Sequence, residues 1–218
     1  MFWIVMKMLV KISVCIFLFR LCECFTFPID IKTLFNPYKS PCISIETYNK
    51  LNTNNVSSFI TNERYKNLPN NLYNEMVGMI NKDFLYRKKN SFSNLPFTIL
   101  IASKDNKIVG VITIESSDID VNGKKENQPV ISNLIVSSEM RRKGIAKLLT
   151  IRAEKIAKSL EYKYVYLFVD IKNIPALKLY KSRGYTPFSD TKKSTKIVCK
   201  KNSFGNSDCT NVMLRKKI

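Results

Sequence analysis

The stretch SSEMRRKGIAKLL, residues 137–149, sets Arg141, Arg142 and Lys143 directly against Gly144, with Lys147 close behind. Ile145, Leu148 and Leu149 follow at helical spacing, so the cations stand at the amino end of a helix. That end carries positive partial charge and ordinarily favours acids, so something anionic has to offset the repulsion. A strand closing at Val136, a glycine turn and a helix start together make a site for such an anion. The N–H groups of a first helical turn point outward, and glycine lets backbone approach a bulky phosphate closely. Arginine then offers a planar fork to phosphate oxygens and lysine a point charge. The ligand chemistry this implies is a phosphate, and specifically a pyrophosphate. On local pattern alone, a basic solvated turn explains the stretch equally well.

The elements that would position this turn can be read along the chain. CISIETY, residues 42–48, alternates as a strand, and helical spacing runs from Asn55 to about Tyr86 with a break at Leu68-Pro69, predicting two helices. FTILIAS and KIVGVITIES are strands joined by the polar turn Lys104-Asp105-Asn106-Lys107, which suits a hairpin. A second polar break, Ser117 to Gln128, precedes the strand PVISNLIV. The helix after the glycine turn runs to about Leu160 and places Ile145, Leu148, Leu149, Ala153, Ile156, Ala157 and Leu160 on one face. KYVYLFVD reads as an internal strand. IPALKLYKSRG reads as a short helix with Pro175 in its first turn and Gly184 as its C-cap. KSTKIVCKK and TNVMLRKKI supply two last strands around a polar insert. The order is β-α-α-β-β-β-α-β-α-β-β, an α/β chain of α+β type.

Composition bounds the function further. The 218 residues suit one ordinary domain with a leader, and 45% hydrophobic content is enough for a real core. Thirty-six basic against 17 acidic residues give a net charge of +19, which favours acidic partners, although a Lys- and Asn-rich background accounts for much of it. There is no histidine, which removes His-based catalysis and most zinc sites. The cysteines, Cys15, Cys22, Cys24, Cys42, Cys199 and Cys209, form no CxxC pair with metal spacing, so no metal is expected. Cys199 and Cys209 could meet across a hairpin, but read better as a free reduced pair.

Residues 1–25 are apolar apart from Lys7, Lys11, Arg20 and Glu23, and the uninterrupted run Ile12 to Phe19 suits a signal-peptide core. An uncleaved membrane anchor is the alternative. Residues 26–41 form a short linker or transit-like segment, and the folded domain is expected over 42–218. A signal segment followed by an acid-poor, hydroxyl- and lysine-rich stretch resembles the two-part leader of proteins sent to the relict plastid of parasitic protists. The resemblance implies the apicoplast or a similar organelle.

Two blocks carry a second resemblance. LIVSSEMRRKGIAKLL resembles the central motif of the GNAT acetyltransferase superfamily, Arg/Gln-x-x-Gly-x-Gly/Ala after a strand ending in Val, here Arg141, Gly144 and Ala146. LFVDIKNIPALKLYKSRGY resembles the next signature, here Asn173, Tyr180, Gly184 and Tyr185. The blocks look most like plastid-type GNAT enzymes and bacterial ribosomal-protein acetyltransferases. The resemblance implies a mixed, mainly antiparallel sheet splayed between strands 4 and 5 and flanked by helices, with acetyl-CoA as donor. Leu134, Ile135 and Val136 would lie along the acetyl and pantetheine end. Arg141, Arg142, Lys143, Gly144, Ile145, Ala146 and Lys147 would cradle the pyrophosphate. Asn173 would bond the cofactor, and Tyr180 would stand beside the thioester sulfur as general acid. From its apolar neighbours alone, Tyr180 reads just as well as a core aromatic.

The base is where the sequence departs from the family. Some protein N-terminal acetyltransferases of the family carry Glu five residues before the Asn, and here that position is Phe168. With no histidine, Glu115 at the end of GVITIE is the best carboxylate left, acting through water, while Asn133 can position a water but not take its proton. An amine must be neutral to attack. At pH ~7.5 this costs a lysine roughly 4 kcal/mol but an α-amine well under 1. The missing glutamate therefore tilts the acceptor towards a protein N-terminus over a lysine. Two rivals stay open: a small-molecule amine acetyltransferase, with Asp118, Asp120 and Glu126 as the acidic cluster for a cationic acceptor, and a non-catalytic basic module binding CoA or RNA through its terminal cations. The terminal run lacks the interleaved aromatics of base stacking, so no specific nucleic acid is expected. Membrane contact is expected only through an uncleaved leader.

Overall fold

The computed structural model describes residues 43–49, 53–91, 94–121, 123–188, 197–198 and 210–218. The leader, the transit-like segment and all six cysteines lie outside the described residues, so the Cys199–Cys209 reading does too. The chain divides into units Met1–Pro41 and Cys42–Ile218, and only the second is described below.

Eight strands and four α-helices occur among the described residues, in the order β1 Ser44–Thr47, α1 Asn54–Arg64, α2 Asn70–Lys89, β2 Thr98–Lys104, β3 Lys107–Val121, β4 Lys124–Val136, α3 Ile145–Ser159, β5 Tyr164–Asp170, α4 Ile174–Ser182, β6 Thr186–Pro187, β7 Ile197–Val198 and β8 Thr210–Lys217. One sheet holds all the strands in the order β1-β2-β3-β4-β5-β8-β6, with β7 also on β8. Only β4 and β5 run parallel. That mixed, mainly antiparallel sheet is the fold the family resemblance implies.

Two faces of the sheet bury different residues because strand side chains alternate. On one face, α1 and α2 bring Val56, Ile60 and Phe84 against Phe97, Ile99, Ile101, Val111 and Ile135. On the other, α3 brings Ile145, Leu149, Ala153 and Ala157 against Leu100, Ile112, Ile114, Val165 and Leu167, with Tyr180 and Tyr185 in the same cluster. Close approach of α3 depends on Gly110 of β3, where an added Cβ would lie 3.0 Å from both Ile145 Cγ2 and Leu149 Cδ1.

Most elements fall where periodicity put them, but Leu148 and Leu160, expected on the apolar face of α3, are exposed, the latter as the helix's C-cap. Asp105 and Asn106, both at positive φ, make the tight β2–β3 turn, and Pro69 separates α1 from α2. The polar break Ser117–Gln128 is a correction: β3 and β4 continue through it as a long hairpin. Its polar side chains hid the strands because they pair across them, Asp120 with Lys125 and Asp118 with Asn127, while Gly123 at φ 82° and its N–H bond to Asp120 Oδ1 close the turn. The acidic cluster of Asp118, Asp120 and Glu126 is thereby spread along a hairpin with Lys125 beside it. The strand β6 and the 3-10 turn Ser138–Met140 were not anticipated.

Candidate active site

Helix α3 opens at Gly144, whose φ of 81° is left-handed and whose missing Cβ would meet nothing within 4 Å. Arg142 also takes positive φ, 64°, so the chain reverses tightly between strand and helix. The first intrahelical bond runs from Leu148 N–H to Gly144 O, which leaves the N–H groups of Ile145, Ala146 and Lys147 without one. No side chain caps this end and no acid stands in its first turn. An exposed, uncapped helix start ringed by cations fits an anionic group of pyrophosphate size.

The cations differ in what holds them. Arg141 is occupied: its Nε donates to Val136 O at 3.2 Å, and its Nη2 lies 3.6 Å from Glu63 Oε2 of α1. Glu63 Oε2 also accepts Ser138 N–H at 2.9 Å, and Lys66 Nζ donates to Ser138 Oγ at 3.0 Å, so the end of α1 pins the turn. Lys143 Nζ rests 3.6 Å from Met140 Sδ. Arg142 and Lys147 are exposed. Ile145 is core, so only its backbone faces the turn. Glu63 and Lys66 were not found from the sequence, because a contact between residues some 75 apart leaves no local signal.

Strands β4 and β5 pair only at Val130–Tyr166 and Ile131–Leu167. Beyond these, β4 continues to Val136 beside β3 and β5 continues to Asp170 beside β8. The two therefore part, which is the splay the family resemblance implied. An extra residue on β4 accompanies the parting: Val111 faces Ile135 while Thr113 faces Ser132, and Asn133 sits at φ 51°. Ser137 N–H bonds Val109 O, and alternation from it turns the backbone groups of Leu134 and Val136 to the open edge. The three residues expected along the cofactor split by face. Leu134 and Val136 pack towards the α3 side, whereas the Ile135 side chain belongs to the α1/α2 core.

Asn173 begins α4 and caps it, its Oδ1 accepting Ala176 N–H at 3.2 Å. Half of its amide is thus structural, and its Nδ2 donors remain for a ligand. Helix α4 ends in a Schellman motif: Tyr185 N–H bonds Tyr180 O and Gly184 N–H bonds Lys181 O, each at 3.0 Å, with Gly184 at φ 83°. The same motif sets the Tyr185 ring edge-on to Tyr180 at 5.5 Å. Tyr180 is 6% exposed, and burial pushes its phenol up to about 12. The ring is core, as its apolar neighbours suggested, and shares its cluster with Leu134, Val136 and Met140.

Glu115 lies on the other face, with Thr113. Burial raises its carboxyl above the usual range, the Arg87 guanidinium that ion-pairs with it pulls it back down, and Asp83 adds a smaller upward push. It lines a cavity of about 540 Å³ with Arg87, Asn90, Ser91 and Asn127. Beside it, Thr113 Oγ1 and Ser132 Oγ lie 2.7 Å apart, Asn133 Nδ2 donates to Thr113 Oγ1 at 3.3 Å, and Arg64 Nη2 donates to Asn133 Oδ1 at 3.1 Å. No cluster of three metal-ligating side chains occurs among the described residues.

A family model described as the acetyltransferase (GNAT) family matches residues 62–185. An Arabidopsis thaliana protein, GCN5-related N-acetyltransferase 4, chloroplastic, is 44% identical over 55 residues, a match covering 25% of this chain and 19% of that relative. A Pyrococcus horikoshii OT3 structure superposes with TM-score 0.58 at 20% identity, covering 81% of this chain and 99% of that one. The PaiA N-acetyltransferase of Thermoplasma acidophilum, solved with coenzyme A, gives 0.56 at 19% identity with the same two coverages. A chain of the NatC complex bound to Gag peptide and CoA gives 0.53 at 16%, covering 81% and 98%. At these identities the structural likeness concerns the fold.

Proposed function

Because this chain belongs to the acetyltransferase (GNAT) family, we propose that it moves an acetyl group from acetyl-CoA to a primary amine of a protein, foremost an N-terminal α-amine. One observation carries the reading: an acid-free, uncapped helix start at Gly144 stands beside a strand edge left open by the parting of β4 and β5. Acetyl-CoA supplies the activated acetyl thioester and a pyrophosphate. Arg142, Lys143 and Lys147, with the N–H groups of Ile145, Ala146 and Lys147, bind the pyrophosphate. Arg141, tied to Glu63 and Val136 O, braces that turn. The open backbone of Leu134 and the N–H of Val136 bond the amide chain, Ile135 anchors the strand beneath it, and Asn173 Nδ2 adds a bond from the start of α4.

Tyr180 holds a proton on its phenol oxygen for the departing sulfur. A phenol pushed to about 12 stays protonated at every pH where the protein works, which a general acid requires. On the opposite face, Glu115 accepts the amine's proton through water, with the Thr113–Ser132 hydroxyl pair between it and the cleft. This route is long and Glu115 is shared with Arg87, so it suits an acceptor that loses its proton readily. An α-amine of pKa about 7.7–8.0 does so far more easily than a lysine of about 10.4. The apolar leader and the chloroplastic relative together support a plastid-type destination.

Incubation of the purified protein with acetyl-CoA and peptides blocked either at the N-terminus or at lysine tests the acceptor. Acetylation of peptides with a free N-terminus is expected; turnover only on a free sugar or polyamine contradicts the proposal.

A further inference from the structure

The register of the parting strands says what the incoming amine meets. Leu167 is the last β5 residue paired with β4, opposite Ile131, so Phe168 and Ser132 stand across the first unpaired level. Alternation puts both on the α1/α2 face, Ser132 through its hydroxyl contact with Thr113 and Phe168 two residues beyond Tyr166. This is the face away from α3 and the Gly144 turn. A donor bound at that turn leaves it as the side from which an acceptor arrives. The two walls differ in chemistry. On β4 stand the hydroxyl of Ser132, backed by the buried Thr113 of β3, and the amide of Asn133, held by Arg64. On β5 stands Phe168, 41% exposed, with Met213 of β8 opposite it in register. Tyr65, which follows Arg64, is exposed as well.

Phe168 is the most exposed of the three aromatics that share this face of β5. Tyr166 on the same strand is 1% exposed under Phe188. The charges around the mouth are already engaged with protein groups. Arg64 contributes a cation, and Glu115, the nearest carboxylate on that face of β3, is already paired with Arg87. A cationic side chain next to the reacting amine would meet the Arg64 charge, while Asp170, on the same face at the end of β5, already accepts Lys172 N–H at 2.9 Å; an acidic one would have to lie against the Phe168 ring.

We infer that the acceptor is an N-terminus whose first side chain is apolar, and that Phe168 selects it by covering that side chain. The inference rests on the acetyl-transfer reading above. The hydroxyl and amide wall of β4 then serves the peptide backbone, whose N–H and C=O groups are the same for every sequence, while Phe168 reads the one variable group.

The test uses the full-length protein, acetyl-CoA and a set of peptides identical from the second residue onward, with Met, Leu, Phe, Ser, Asp or Lys first. CoA release and the mass of the product are both measured. Met, Leu and Phe are expected to exceed Asp and Lys in kcat/KM by about tenfold or more, the scale on which apolar pockets discriminate. Phe168→Leu is expected to keep that order, and Phe168→Glu to abolish it and raise the Lys-first peptide. Equal rates across first residues, an acid-first preference, or an order unchanged by Phe168→Glu would overturn the inference while leaving acetyl transfer standing. Absence of transfer to any peptide, with CoA binding intact, would instead remove the reading it rests on and the inference with it.

Discussion

Glu154 of α3 is the carboxylate on which the position of α4 depends. It is 7% exposed, and its Oε2 accepts from Arg183 Nη2 at 2.6 Å and from Lys216 Nζ at 2.7 Å. Arg183 is the C-cap residue of α4, and Lys216 lies in β8, so one oxygen ties three elements together. Glu154→Ala leaves two largely buried cations facing each other without their anion. Breaking a buried pair in this way costs about 3–5 kcal/mol. Both cations keep nearly a fifth of their side-chain surface, 19% and 18%, so the lower end applies. For a domain of this size, about 3 kcal/mol corresponds to a fall in Tm of roughly 6–12 °C. Thermal and urea melts of the single variant measure it. Lys216→Met added to Glu154→Ala is expected to restore part of the loss, giving a coupling of about 0.5–3 kcal/mol in a double-mutant cycle. Because Arg183 borders the Schellman turn that sets Tyr180, kcat should fall as well at temperatures where the variant is folded. A single variant within about 0.5 kcal/mol of wild type, the usual range for surface changes, would refute the assignment of this cluster as a structural tie.

Other perturbations separate packing from chemistry. Gly110→Ala puts a methyl 3.0 Å from Ile145 and Leu149, so a loss of about 1–3 kcal/mol in urea melts is expected, together with weaker CoA binding as α3 is pushed outward. Gly184→Ala meets no neighbour, so only the left-handed backbone is penalised, by about 1–2 kcal/mol, with kcat reduced and CoA affinity retained. Tyr180→Phe keeps the buried ring and should leave stability nearly unchanged, while kcat drops by about 10²–10⁴. In the wild type, a phenol near 12 is in its proton-donating form at all lower pH, so activity should rise with deprotonation of the amine and hold level to about pH 10; an alkaline fall centred near pH 8 would contradict the role.

Features written in local chemistry were legible in the sequence. Gly144 and Gly184 marked the two left-handed turns, Pro69 the helix break, and Asp105-Asn106 the hairpin, because each satisfies a backbone requirement within a few residues. The β-type alternation that places Phe168 and Tyr166 on one face is also plain in KYVYLFVD. Tertiary features were not legible. The hairpin through Ser117–Gln128 reads as loop because its strands are polar and find their partners in each other. The extra residue at Asn133 depends on the register of β3, and it sets the phase of the alternation that sends Leu134 and Val136 to one core and Ile135 to the other. Arg141 matches the motif, yet Glu63 holds it, and Glu63 belongs to a helix with no motif at all.

Calorimetric titration of CoA into the wild-type protein and into Arg142→Glu and Gly144→Val variants addresses the Gly144 turn most directly. One saturable site is expected in the wild type, with affinity reduced at least tenfold in both variants and unfolding midpoints that stay close to wild type for Arg142→Glu. Undiminished CoA binding when the exposed cation at the turn is reversed, or no binding by the wild-type protein, would mean that this helix start is not where the diphosphate sits.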